Sequence, residues 1–189
     1  MKIRTTIALV ALVGMLACAA GLRGQEKMDS TVRVGGQEMF PTNNIIENAV
    51  NSADHTTLVA AVKAGGLVET LQGKGPFTVF APVNAAFAAL PAGTVDNLLK
   101  PENKDTLVAV LTYHVVPGNY SASKLMKEIE AGGGKAMLKT VQGETLTFRM
   151  NGDSNMLIED AKGGVANITI SNVRQSNGVI HVIDRVLMP

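Results

Sequence analysis

The chain closes on Asn177-Gly178-Val179-Ile180-His181-Val182-Ile183-Asp184 and runs on to Pro189, a turn signal followed by a long, mostly β-branched run. Branching at Cβ restricts χ1 and favours the pleated, extended backbone, so this segment predicts a strand that ends the fold. Two upstream runs have the same character. Phe77-Thr78-Val79-Phe80-Ala81-Pro82 follows the Gly75-Pro76 break and leads through Val83 into Asn84 and Phe87. The stretch from Leu111 to Gly118 carries Tyr113 and His114 in a third strand-like run.

In this order and spacing the three runs resemble a fasciclin (FAS1) domain, with the resemblance spanning Asn43 to Pro189. Val83 stands where relatives carry threonine, which removes a hydroxyl from that position. The resemblance implies an α+β fold: a β-sandwich or wedge of about seven strands with the N-terminal helices packed across it. It also implies an extracytoplasmic adhesion or interaction module without turnover chemistry. In animal members the Tyr-His segment is linked with cell adhesion and integrin binding, which would carry onto Tyr113 and His114 as partner contacts. An aromatic in an apolar run is more often core than contact surface, and a bacterial-type export signal argues against integrins as the partner.

The residues read one by one agree with that architecture. Asn43 or Asn44 can cap a helix containing Ile45, Ile46, Ala49 and Val50, and Asp54 can cap the next, with Leu58, Val59 and Val62 on one face. Gly65-Gly66 ends it, and residues 67–71 make a short helical turn. Asn84 is placed as the N-cap of a helix burying Phe87 and Leu90, and Pro101 suits the first position of a helix presenting Leu107, Val108 and Leu111. Beyond His114 the period changes from near four to near two. After a short helix over residues 121–129, strands are predicted at 136–140, 145–150, 156–160, 165–173 and 179–187, with Asn151-Gly152 as a turn.

The first residues have a different character. Lys2 and Arg4 precede an apolar core from Ile7 to Leu16 and a small-residue end, the pattern of an export signal over residues 1–20. Cys18, the one cysteine, follows Met15-Leu16-Ala17 and resembles the acylated cysteine of a bacterial lipoprotein; ordinary cleavage at Ala17-Cys18-Ala19 is the alternative. Residues 21–42 are rich in Gly, Gln, Glu, Lys, Asp and Ser and predict a flexible tether. Residues 43–189 form one domain, expected in the periplasm, at the cell surface or outside the cell. Any membrane attachment would come from a lipid on Cys18.

Composition excludes several functions. A net charge of +1 and a charged fraction of 17% provide no basic face for nucleic acid. With no tryptophan and 4% aromatic residues, no stacking surface for single strands or for sugars is expected. Gly132-Gly133-Gly134-Lys135 lacks the hydroxyl of a phosphate loop, because Ala136 follows the lysine. Asn151, Asp153 and Asn155 alternate as in a calcium loop, but Met156 and Lys162 replace its glycine and glutamate. No cofactor is expected. His55, His114 and His181 lie in separate elements with no metal-ligand spacing, so no metal site is expected either.

His55 reads as a surface residue beside a helix start. His114 and His181, among β-branched neighbours, read as neutral hydrogen-bonded residues of the core, with the Asn84 amide as the natural partner of His114. The expected function is therefore non-enzymatic binding of an extracytoplasmic protein or matrix component. Two alternatives stay open: a carrier of a small apolar ligand, suggested by the abundance of Ala, Val, Leu and Met, and a small exported hydrolase. In the latter His114 or His181 would be the base and Ser176 or Thr112 the nucleophile.

Overall fold

The computed structural model describes residues 31–189. The expected export signal, Cys18 and the beginning of the expected tether lie outside them. The described chain is an α+β fold with nine strands and seven α-helices. β1 (Val32–Val34) and β2 (Gln37–Met39) pair antiparallel, so residues 32–39 are a hairpin and not the coil expected for 21–42. Burial is the reason: Val34 and Met39 are 4% and 3% exposed, packed into the main core. Two anchors among polar neighbours are too sparse a pattern to read as periodicity.

Five helices follow, broken by the first central strand. α1 (Ile45–Ala49) starts with a capping box, in which Asn44 Oδ1 accepts from the Ile46 and Glu47 N–H groups while Glu47 Oε2 accepts from the Asn44 N–H. α2 (Thr56–Gly65) follows a short 3₁₀ turn over Ala53–His55, so Asp54 lies inside that turn and caps nothing. Gly66, at φ 72°, closes α2 in the left-handed conformation that costs glycine little. α3 (Val68–Gln72) precedes β3 (Phe77–Pro82), and α4 (Asn84–Ala88) and α5 (Thr94–Leu98) come after it.

α6 (Lys104–Tyr113) corrects the reading of residues 111–118 as a strand. Leu107, Val110 and Leu111 form a buried helical stripe, the helix runs through Tyr113, and His114 is its C-cap. Only β4 (Val115–Pro117) is extended, where it pairs with Phe77, Thr78 and Val79. Asn84 is corrected as well. Val83 occupies the N-cap and Asn84 the first turn of α4. Its side chain instead accepts from Thr56 Oγ1 (3.2 Å) and the Thr57 N–H (3.0 Å) and donates to Ala53 O (2.9 Å), joining α4 to the start of α2.

The remaining elements are α7 (Ala122–Ala131), β5 (Lys135–Lys139), β6 (Thr145–Asn151), β7 (Asn155–Glu159), β8 (Val165–Gln175) and β9 (Gly178–Ile183). Seven strands form one mixed sheet in the order β4-β3-β9-β8-β7-β6-β5. The eleven-residue β8 pairs with β7 through residues 165–167 and with β9 through residues 168–175, with register shifts between Ile168 and Val173. Those irregularities, with Asn172 at φ 60°, fold the sheet into a wedge. Its two ends approach where the Val141 N–H donates to Val115 O at 2.8 Å.

The centre of the sheet is the parallel pair β3 and β9, in register from Phe77 beside Gly178 to Pro82 beside Ile183. Alternation along a strand sends neighbours to opposite faces, and here both faces are covered. Val79, Ala81, Ile180 and Val182 join the core under the hairpin and α1, α2, α4 and α6. Phe80 and Ile183 join a second core with α7, β5, β6 and β7, where Leu125, Leu146, Phe148 and Ile158 are fully buried. Each such side chain contributes about 1.5–3 kcal/mol of apolar burial. Coverage on both faces explains why these two segments are near-continuous apolar runs, whereas β5 to β8 alternate.

Candidate functional site

Tyr113 and His114, the partner contacts that the sequence resemblance suggested, are both interior, at 0% and 4% exposure. The Tyr113 hydroxyl donates to Thr145 O (3.3 Å) and accepts from the Ala161 N–H (2.9 Å), so it ties the end of α6 to two turns of the antiparallel section. Burial raises its pKa. Tyr113→Phe leaves the Ala161 N–H without its acceptor, and an expected loss of about 1–2 kcal/mol in urea unfolding with retained fold measures that tie.

His114 Nδ1 donates to Val110 O (2.7 Å) and its Nε2 accepts from the Leu187 N–H (3.0 Å), which requires the neutral ring. Asn84 is not its partner. Burial, against weaker pulls from the Val110 carbonyl and Asp160, lowers its pKa to about 4. His181 uses the opposite tautomer: Nε2 donates to Tyr120 O (2.8 Å), Nδ1 faces the Asn172 N–H (3.5 Å), and the ring stacks on Phe80 with centroids 5.6 Å apart. Burial lowers its pKa too. His55 is not the surface residue expected from the sequence. It is 4% exposed, its Nδ1 lies 2.8 Å from Ser52 Oγ, its Nε2 has no hydrogen-bond partner among the described residues, and burial again lowers its pKa.

None of the expected nucleophiles meets a histidine. The Thr112 hydroxyl donates to Val108 O at 2.7 Å, and Ser176 is exposed on a loop. Among the described residues no group of three His, Cys, Asp or Glu side chains could hold a metal ion. An apolar crevice lies between α1, α2, α3 and the β3–β9 face, lined by residues such as Ile46, Leu58, Val62, Leu71 and Ile180, with a cavity of about 50 Å³. One benzene occupies a cavity of about 150 Å³, so the crevice as it stands is too small for an apolar cargo.

A second concavity is larger and of mixed polar and apolar surface. Residues 72–76, Asn119 and residues 175–178 line an open groove of about 480 Å³ at the end of β3 and β9. The sequence motifs build its floor. Asn177 Oδ1 accepts from the Ile45 N–H (3.1 Å), while its Nδ2 donates to Leu71 O (2.8 Å) and Gly73 O (3.1 Å). The Phe77 N–H donates to Asn177 O and the Gly118 N–H to Pro76 O, at 3.1 and 2.9 Å. Gln175, under the groove, bonds Asn48 through its amide oxygen and Val173 O through its nitrogen. Three loops distant in sequence are thus locked together by backbone and buried amides. Sequence reasoning singled out Asn177, Gly178 and Ser176 but not Gln72 or Lys74, which have no local pattern to reveal them.

The family model described as Fasciclin domain matches residues 53–189. Protein sll1483 of Synechocystis sp. is 42% identical over 193 residues, covering 98% of each chain. Immunogenic protein MPB70 of Mycobacterium bovis is 32% identical over 209 residues, covering 100% of this chain and 99% of that one. Among solved structures, a FAS1 domain pair from the insect cell adhesion molecule Fasciclin I superposes with a TM-score of 0.69 at 17% identity, over 86% of this chain and 59% of that one.

Proposed function

The chain belongs to the fasciclin domain family, and from that premise we propose an exported, non-enzymatic adhesion or interaction module that holds an extracytoplasmic protein or matrix partner at the open groove. The observation that carries this reading is the tying of the three groove loops to one another, by Asn177 to Leu71, Gly73 and Phe77 and by the Gly118 N–H to Pro76 O. A surface ordered before it meets its partner loses little conformational freedom on binding, and loops held by a rigid scaffold are where recognition concentrates. Tyr113 and His114 serve that scaffold from within, so partner contact falls to exposed loops.

The shared fold of an insect cell adhesion molecule supports the class. Among the described residues no helix is long and apolar enough to cross a membrane, and in this reading attachment, where it occurs, comes through acylation of Cys18. The hydrolase alternative is disfavoured because both nitrogens of His114 and of His181, the two bases it would use, face backbone groups. The carrier alternative is disfavoured by the 50 Å³ crevice.

The test immobilises the full exported chain and measures capture of envelope extract, matrix proteins and polysaccharides beside a heat-unfolded control. Saturable capture by the native chain alone is expected, with no covalent labelling by a fluorophosphonate. Equal capture by the unfolded chain, or stoichiometric labelling of a serine, would overturn the reading.

A further inference from the structure

We propose that the groove takes an acidic glycan segment, a saccharide chain bearing carboxylates, with its hydroxyls held by Gln72, Asn119 and Ser176 and a carboxylate by Lys74. This rests on the interaction-module reading and adds the chemistry of the ligand. The groove divides its polar side chains into two sets. Asn177 and Gln175 are fully used in building it. Gln72, Lys74, Asn119 and Ser176 are exposed, and their side chains make no hydrogen bond to any described residue. Four polar side chains from three loops therefore converge on one concavity with nothing of the protein's own to hold.

Their chemistry narrows the ligand. An amide and a hydroxyl each present a donor and an acceptor, the same pairing that neighbouring sugar hydroxyls present. Among the described residues Lys74 is the one charged residue in the lining, and no carboxylate opposes it, so an anionic ligand is favoured over a cationic one. Among the described residues no aromatic lines the groove, which removes the platform on which a nucleobase or a sugar ring would stack, so a saccharide is held there through its hydroxyls and carboxylate alone. An extended peptide that adds to a sheet draws affinity from main-chain hydrogen bonds along a free edge, but β3 and β9 are interior strands of the sheet and offer no edge at the groove. A volume of about 480 Å³ lies within the usual range of small-ligand sites, about 300–1,000 Å³. A single segment held by exposed groups binds weakly, and a polymer gains by repetition.

The experiment titrates the isotope-labelled full chain by NMR with tri-galacturonate, with its carboxyl-reduced neutral trimer and with tetraglutamate. Tri-galacturonate is expected to shift the amide signals of Lys74, Asn119 and Ser176. Lys74→Gln should weaken it by about two- to fivefold, the range of an exposed charge pair, and leave the neutral trimer unchanged. Asn119→Ala with Ser176→Ala should weaken both trimers. These side chains are exposed and unbonded, so unchanged thermal unfolding verifies the variants. Absent shifts, shifts confined to other surfaces, or tetraglutamate binding as tightly with the same dependence on Lys74 would each overturn the inference. Capture of an envelope or matrix protein that persists in the three variants would overturn the glycan while sparing the module. Trimer binding without any capture would leave the glycan site standing and sink the module.

Discussion

Lowering the pH from 7 to 4 is expected to cost the folded protein about 3 kcal/mol through His114 alone. In the unfolded chain this ring takes a proton near its ordinary pKa of 6.5, whereas in the fold burial holds it down to about 4. Between those values the unfolded state binds more protons than the native one, so stability falls as the pH falls. It is fully present above pH 6.5, and the loss is complete near pH 4. The hydrogen bonds act in the same direction: Nε2 accepts from the Leu187 N–H, and a proton there would set donor against donor. The Asp160 carboxylate attracts the imidazolium without overcoming burial. His55 and His181 are lowered for the same first reason, so the acid loss exceeds that of one group.

Urea unfolding at a series of pH values measures this directly. The wild-type free energy should decline steeply below pH 6.5. His114→Gln should start lower at pH 7.5, because it breaks the link between α6 and the C-terminal segment, yet decline less steeply by up to about 1.4 kcal/mol per pH unit. Parallel slopes for the two proteins would show that His114 does not carry the linkage.

Gly178→Ala is expected to be among the most damaging small substitutions, at about 4 kcal/mol or more. A Cβ at Gly178 would overlap the Phe77 carbonyl and nitrogen, and one at Gly75 would overlap the Asn177 carbonyl. The two glycines let β3 and β9 approach at the first rung of their parallel ladder, where Phe77 lies beside Gly178. The added methyl cannot be accommodated by rotating a side chain because backbone opposes it, so the ladder must shift. Gly163→Ala separates this cause from ordinary glycine effects. Gly163 has φ +77° and open space around its Cβ, so it pays only the left-handed penalty of about 1–2 kcal/mol. Thermal unfolding should place Gly178→Ala about 10 °C or more below wild type, with Gly163→Ala between them. Equal midpoints for the two variants would show that the close approach is unimportant.

Much of the local structure is legible without coordinates because it follows from interactions within a few residues. Alternation identifies β5 to β8, Asn151-Gly152 marks their hairpin, and Gly66 and Asn44 mark helix ends by backbone sterics and by one capping carboxamide. The errors share a different cause. Tyr113 and His114 looked strand-like because aromatic and β-branched neighbours suit either period in a short run. The stripe of Leu107, Val110 and Leu111 against the core decides for helix. Asn84 has the right residue type for a cap, but Thr56, Thr57 and Ala53 claim its amide from another element.

From the chain alone follow the α+β class, the two motif strands β3 and β9 with their turns, and the lack of any catalytic or metal-binding spacing, all of which depend on residue type and short-range order. Which face of each motif is buried depends on distant segments meeting. Val34 and Met39 turn an apparent tether into a hairpin, the sheet folded at β8 puts His55, His114 and His181 inside, and Asn177 draws residues 72–76 to residues 175–178. The groove and its unbonded Gln72, Lys74, Asn119 and Ser176 exist only in that assembly, because periodicity and capping act within one element and cannot specify which loops become neighbours.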